Sequence, residues 1–168
     1  YTLTIESSPA ADAANGSVYR FYVNAQDDSD KLSAVFGNDQ DNLIFQTPAD
    51  IYNNPFNSGG SAAGLNPAII AVSPDLADDS FATIGLDGPA ASTPGAEDPS
   101  LVQDAGLNPT VSGYFTAGGT SLNVTTLTGA SWYVLNTAAN ALPTDGRWLV
   151  AQITTTGDIS GQINFQVF

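Results

Sequence analysis

Apolar and polar residues alternate along much of this chain. Between Gly16 and Asn24, Tyr19, Phe21 and Val23 fall on one face, with Val18, Arg20, Tyr22 and Asn24 on the other. At the C-terminus Ile163, Phe165 and Val167 point one way and Gln162, Asn164 and Gln166 the other. A period of two with one polar face predicts half-buried strands. The run Arg147–Thr154 is apolar on both faces for part of its length, which predicts a central strand. Shorter strands are predicted at Tyr1–Ile5, Leu32–Phe36, Leu43–Gln46, Phe81–Leu86, Ser121–Thr126 and Ser131–Leu135. No segment sustains a period of 3.6. One helical turn is predicted at Pro67–Ile70, with Asn66 as its cap and Pro67 at its first position.

The connections carry turn chemistry. Thr144-Asp145-Gly146 and Thr156-Gly157-Asp158 read as tight turns, because Gly admits positive φ and Asp bonds its own backbone. Two segments are too long for hairpins. Thr47–Asp79 holds Pro48, Pro55, Pro67 and Pro74, and Gly88–Val111 holds Pro89, Pro94, Pro99 and Pro109. The string Ala63-Gly64-Leu65-Asn66-Pro67 recurs as Ala105-Gly106-Leu107-Asn108-Pro109. Its flanks do not match, so it reads as one loop device used twice: a Leu that plugs the core, then an Asn-Pro turn. These elements predict an all-β fold, a single jelly-roll-like β-sandwich spanning residues 1–168, with about eight to ten mostly antiparallel strands.

Composition narrows the function. The chain has no His, Cys or Met, and three basic residues stand against seventeen acidic ones, a net charge of −14. The ordinary proton shuttle, thiol nucleophile and soft metal ligand are missing. Serine catalysis would have only Lys31 as its base, and no Gly-x-Ser-x-Gly elbow is present. The charge repels nucleic acid and anionic lipid. No apolar run approaches the roughly 18 residues of a membrane span, so no membrane insertion is expected. Charged residues make up 12% of the chain, and the polar surface is Thr, Ser, Asn, Gln and Gly, a profile of extracellular β proteins. The chain begins at Tyr1, as removal of a signal peptide would leave it, and as any other trimming of a longer chain would too.

Oxygen chemistry remains. Asp27, Asp28 and Asp30 form one acidic cluster, Asp39 and Asp41 a second, and Asp75, Asp78 and Asp79 a third. Calcium takes six to eight oxygen ligands, which such loops can offer, although none matches the EF-hand pattern. The bland alternative is a set of solvated acidic turns. Paired carboxylates also suit glycoside hydrolysis, but only two Glu exist, Glu6 and Glu97, and most Asp sit in turns. Tyr19, Tyr22, Trp132, Tyr133 and Trp148 offer a sugar-stacking platform, against core packing as the default. Asn15-Gly16-Ser17 and Asn123-Val124-Thr125 are N-glycosylation sequons, with Asn15, in a loop, the better placed. Arg147 should find an acidic partner such as Asp145 or Asp79.

The terminal strands add an option. Tyr1, Leu3 and Ile5 at one end, and Ile163, Phe165 and Val167 at the other, can pair within the chain or add to a neighbour's sheet edge. Residues Ile159–Phe168 carry no charge, and charge is the usual guard on an edge strand.

Several blocks carry a resemblance: Val18-Tyr19-Arg20-Phe21-Tyr22, Leu32-Ser33-Ala34-Val35-Phe36-Gly37, Asp79-Ser80-Phe81-Ala82-Thr83-Ile84-Gly85, and Gly146–Gly157 followed by Ser160-Gly161-Gln162-Ile163-Asn164. Together they resemble a secreted β domain of marine and aquatic microbes and algae, in which Trp usually stands where this chain has Phe81. The resemblance implies an extracellular location and a modular surface or matrix role, and carries over no catalytic residue. The resulting expectation is a non-enzymatic, secreted, cell-surface structural protein that self-associates into a homo-oligomer or polymer: a filament, sheath or matrix. The alternative is a calcium-dependent module that binds glycans or mediates adhesion, and the remotest is a carboxylate glycoside hydrolase. No cofactor other than calcium is expected.

Overall fold

The structure, a computed structural model, describes residues 1–168. Alternation becomes a sandwich. The first sheet has the order β1-β2-β9-β5, from β1 (Thr2–Pro9), β2 (Ser17–Asn24), β9 (Arg147–Thr155) and β5 (Phe81–Ala82). Facing it are a four-stranded sheet, β11-β3-β8-β6, and a three-stranded one, β10-β4-β7. Their strands are β3 (Leu32–Gly37), β4 (Leu43–Gln46), β6 (Ser100–Gln103), β7 (Ser121–Val124), β8 (Ala130–Tyr133), β10 (Ser160–Gln162) and β11 (Asn164–Val167). Every ladder is antiparallel. The fold is an all-β sandwich, as the sequence predicts.

The main core lies between the layers. Phe21, Val23, Trp148, Val150 and Ile153 of the first sheet meet Leu32, Val35, Phe45, Leu122 and Trp132 of the facing strands. Burial drives this assembly at about 25 cal/mol per Å² of apolar surface. Trp132 also spans the layers: its indole N–H donates to the Thr83 and Val150 carbonyls, both at 3.1 Å.

β9 is buried on both faces, which explains its apolar pattern. Its second face meets a smaller core built by the long loops, in which Leu149 and Phe81 pack with Ala62, Leu65, Leu76, Leu86 and Ala90. The first long segment is therefore a packed cover over the outside of the first sheet. Helix α1 (Pro67–Ile70) lies in it, and Asn66 caps it by accepting from the Ala68 N–H at 2.9 Å. Leu65 and Leu107 are both buried, so each copy of the repeated string does plug a core, though two different ones.

Three elements differ from expectation, the first being the strand predicted over Phe81–Leu86, which is only the two residues of β5. β6 lies inside the second Pro-rich segment, and helix α2 (Val111–Ala117) follows it. α2 buries Val111, Tyr114 and Phe115, and Thr110 caps it through the Gly113 N–H at 3.1 Å. No helix in the structure is long and apolar enough to cross a membrane.

Candidate functional site

In the first acidic cluster, Asp27 and Asp30 turn inward on their own loop's backbone. Asp27 accepts from the N–H and hydroxyl of Ser29 at 2.8 and 2.6 Å, which holds its carboxyl below the usual range. Asp30 accepts from the Gln26 and Asp27 N–H groups. Around Asp39 and Asp41 the turn is organised by Asn38, whose Oδ1 takes the Gln40 and Asp41 N–H groups. No hydrogen bond engages the Asp28 side chain. Nowhere do three acidic side chains gather in a group able to hold a metal ion.

The third cluster fastens the long loop. Asp75 accepts from Ser73, Tyr52 and Asn54, and its carboxyl is held low, chiefly by Ser73. Tyr52 moves the other way, pushed up to about 12 by burial and then by Asp75. Asp78 and Asp79 are adjacent and buried, yet they face different partners. Asp78 takes the Ala11 and Asp12 N–H groups and the Asn15 amide, at 2.6–3.0 Å, tying the β1–β2 turn to the loop. Asp79 takes the Asn54 N–H and the Asn57 amide, both at 2.6 Å. Burial pushes its carboxyl up to about 7, against the pull of these donors. Asp79 is fully buried and lines none of the clefts.

The sequons change places. The Asn15 amide nitrogen, where a glycan would attach, is donated to buried Asp78. Asn123 is exposed on β7, the edge strand of its sheet, and is the more accessible acceptor. The two tryptophans belong to the core, so the sugar-stacking platform loses its largest rings.

Arg147 is paired with Glu6, not with Asp145 or Asp79. Its Nη1 lies 2.6 Å from Glu6 Oε1, and its guanidinium sits 3.8 Å from the centre of the Tyr22 ring. Glu6 holds Arg147 further toward its charged form. The reason is sheet order: β1 and β9 flank β2, so Glu6 reaches Arg147 across Tyr22, while Asp145 sits in the turn and Asp79 is buried elsewhere.

The terminal strands are both paired within the chain, and both end a sheet. β1 pairs with β2 over eight residue pairs, and its other edge is open. β11 pairs with β3, and its other edge is open too. They share one flank of the sandwich, where the Tyr1 and Phe165 rings meet edge-on at 6.2 Å. Tyr1, Leu3 and Ile5 remain 44%, 40% and 46% exposed, whereas Ile163, Phe165 and Val167 pack partly against the core. Leu3 and Ile5 also border an apolar crevice with Phe21, Phe45, Ile159 and Ile163. Its volume of about 50 Å³ admits the tip of one side chain and no more.

The opposite flank holds β5 and β6. The edge of β5 is covered by a bridge from Ser61 to Ala82. β6 ends its sheet without a charged residue, with Leu101 39% and Val102 58% exposed, while Gln103 is held by Ser112 of α2. Among the strands that end a sheet, β1 and β6 lie on opposite flanks and carry exposed apolar side chains, and these two edges are the candidate site. Sequence reasoning identified the β1 flank from its low charge and missed β6 among its prolines. Comparison with protein families, curated proteins and solved structures finds no match to this chain.

Proposed function

We propose that this chain is a structural subunit that polymerises head to tail through its sheet edges, in a filament, sheath or matrix outside the cell. One observation carries the reading: two exposed edge strands, β1 with Leu3 and Ile5 and β6 with Leu101 and Val102 at the surface, lie on opposite flanks with few of the charges that normally guard such edges. β1 bears one charge, Glu6, and that is taken by Arg147. An unpaired edge is a row of unmet backbone donors and acceptors, and a second strand satisfies it. Two different edges meeting make a heterologous contact, which propagates into an open polymer when the rotation does not close a ring. A four-residue ladder alone is small against the roughly 1,600 Å² of a standard interface, so Tyr1, Leu3, Ile5, Leu101 and Val102 supply the apolar area. The extracellular setting rests on the low charge content and on the resemblance noted above.

Two guarded variants test this. Ile5→Lys blocks the β1 edge, and Val102→Lys blocks the β6 edge. The wild-type chain should form polymers visible by electron microscopy and light scattering. Each variant alone should stay monomeric, and an equimolar mixture should form heterodimers and stop there. If Val102→Lys still dimerises with itself, the contact is a symmetric β1–β1 pair and the head-to-tail reading is wrong. A wild-type chain that is monomeric at millimolar concentration removes self-association altogether.

A further inference from the structure

Two of the three cations in this chain lie side by side on the outer face of the first sheet, and they are treated differently. Glu6 stands directly across the ladder from Arg20, yet its carboxylate goes to Arg147. Arg20 therefore has no acidic partner in a chain with seventeen acids. Its one hydrogen bond runs from Nε to Gln152 Oε1, at 2.9 Å. Gln152 is fully buried, and its Nε2 donates to the carbonyls of Ala77 and Asp79 at 2.9 and 2.8 Å. Those two bonds fix the amide, so its oxygen must face Arg20. The guanidinium is held through Nε while its forked Nη edge has no partner within the chain. Arg20 borders a cleft of about 460 Å³ whose walls include Glu6, Ser8, Tyr22 and Gln152, with Glu6 Oε1 already held by Arg147. Asp78 closes one side, with its oxygens already engaged by the Ala11 and Asp12 N–H groups and Asn15.

We infer that this cleft binds a single carboxylate carried on a hydroxylated, monosaccharide-sized body, the chemistry of a uronic acid residue. A guanidinium edge matches a carboxylate with two parallel N–H···O bonds. The cleft volume falls in the range of small-ligand sites, roughly 300–1,000 Å³. The Ser8 hydroxyl, on the same face of the sheet as Arg20, suits a body rich in hydroxyl groups. Net charge sets the count of one: at −14, every further anionic group outside the cleft is repelled.

The test is an NMR titration of the ¹⁵N-labelled chain with galacturonate, glucose, acetate and glucose 6-sulfate. Galacturonate should shift the Arg20 Nε–H and Gln152 side-chain amide signals saturably, with Kd on the order of 1 mM. Arg20→Gln should weaken this at least about tenfold, and Arg20→Lys, which keeps the charge and loses the fork, at least about threefold. The lysine variant decides the matter if the glutamine variant does not fold. Glucose binding as tightly as galacturonate, or galacturonate shifts unchanged in both variants, overturns the site. Acetate equal to galacturonate overturns the saccharide body, and glucose 6-sulfate equal to it overturns the choice of carboxylate. None of these outcomes depends on whether the chain polymerises.

Discussion

At the scale of single residues, Asp79 is where stability and pH meet. Its carboxylate accepts from Asn54 and Asn57, which favours the charged form, but burial outweighs them and raises its pKa to about 7. A carboxyl raised on folding binds its proton more tightly in the folded state. Its stabilising contribution is complete below the unfolded value of 3.8 and is lost as pH rises toward 7. Asp27, Asp75 and Asp104, held below 3.8, act in the other direction: their contribution is present above 3.8 and lost as pH falls through their folded values. The two windows do not overlap. The unfolding free energy read from urea titrations should therefore fall from pH 4.5 to pH 7 by an amount on the order of a few kcal/mol, then level off. Asp79→Asn should flatten that slope, while costing about 1–3 kcal/mol at pH 5 because its amide hydrogens face other donors. Stability that is flat or rising between pH 4.5 and 7 in the wild-type chain would contradict this account of Asp79. The role itself was hidden in the sequence. An acid beside a strand was visible, but its partners lie in a loop that folds back onto it.

At the scale of elements, turns and strands were the legible part. Asp145 and Gly146 both have positive φ, 52° and 73°, between the mutually bonded Thr144 and Arg147, the two-residue hairpin that Asp-Gly signals. At Gly146 an added Cβ would meet nothing within 4 Å, so Gly146→Ala should cost only the backbone strain, about 1–2 kcal/mol. Gly129 has a similar φ of 66°, but there a Cβ would run into the Gly37 carbonyl oxygen of β3. Gly129→Ala should lower the melting temperature several times as far, and equal losses would refute the steric distinction. β2 and β11 were readable because alternation against one core is a local property, and β9 because burial on both faces leaves a nearly continuous apolar run. β6 was not, because four residues between Pro99 and Asp104 are too few to show a period. α2 was not, because Gly113, Val111 and Thr116 have poor helix propensity. It is held by tertiary burial of Val111, Tyr114 and Phe115, spaced at i, i+3 and i+4, a signal too brief to stand out. The Arg20–Gln152 pair joins two strands more than a hundred residues apart, and only the register of β2 on β9 brings it together.

At the scale of the whole molecule, charge and edges oppose each other, and salt decides between them. Two copies each carrying −14 repel at long range. That repulsion reaches about 30 Å at 0.01 M salt and about 8 Å at 0.15 M. The edges that would meet, β1 and β6, contribute no free charge, so screening removes repulsion and weakens no attraction at the contact. Assembly should therefore increase with sodium chloride, from monomers near 10 mM to polymers near 150 mM, as read by light scattering. An interface built on charge pairs would do the reverse, and polymers that dissolve as salt rises would overturn the edge contact. Calcium sharpens the comparison. No three acidic side chains gather as a metal-holding group, and on the edge-contact reading calcium chloride at matched ionic strength should act only as a screening salt. Polymers that form with calcium and not with sodium at equal ionic strength would mean that cations bridge acidic surfaces of neighbouring copies. The bare strand edges would then not be the contact.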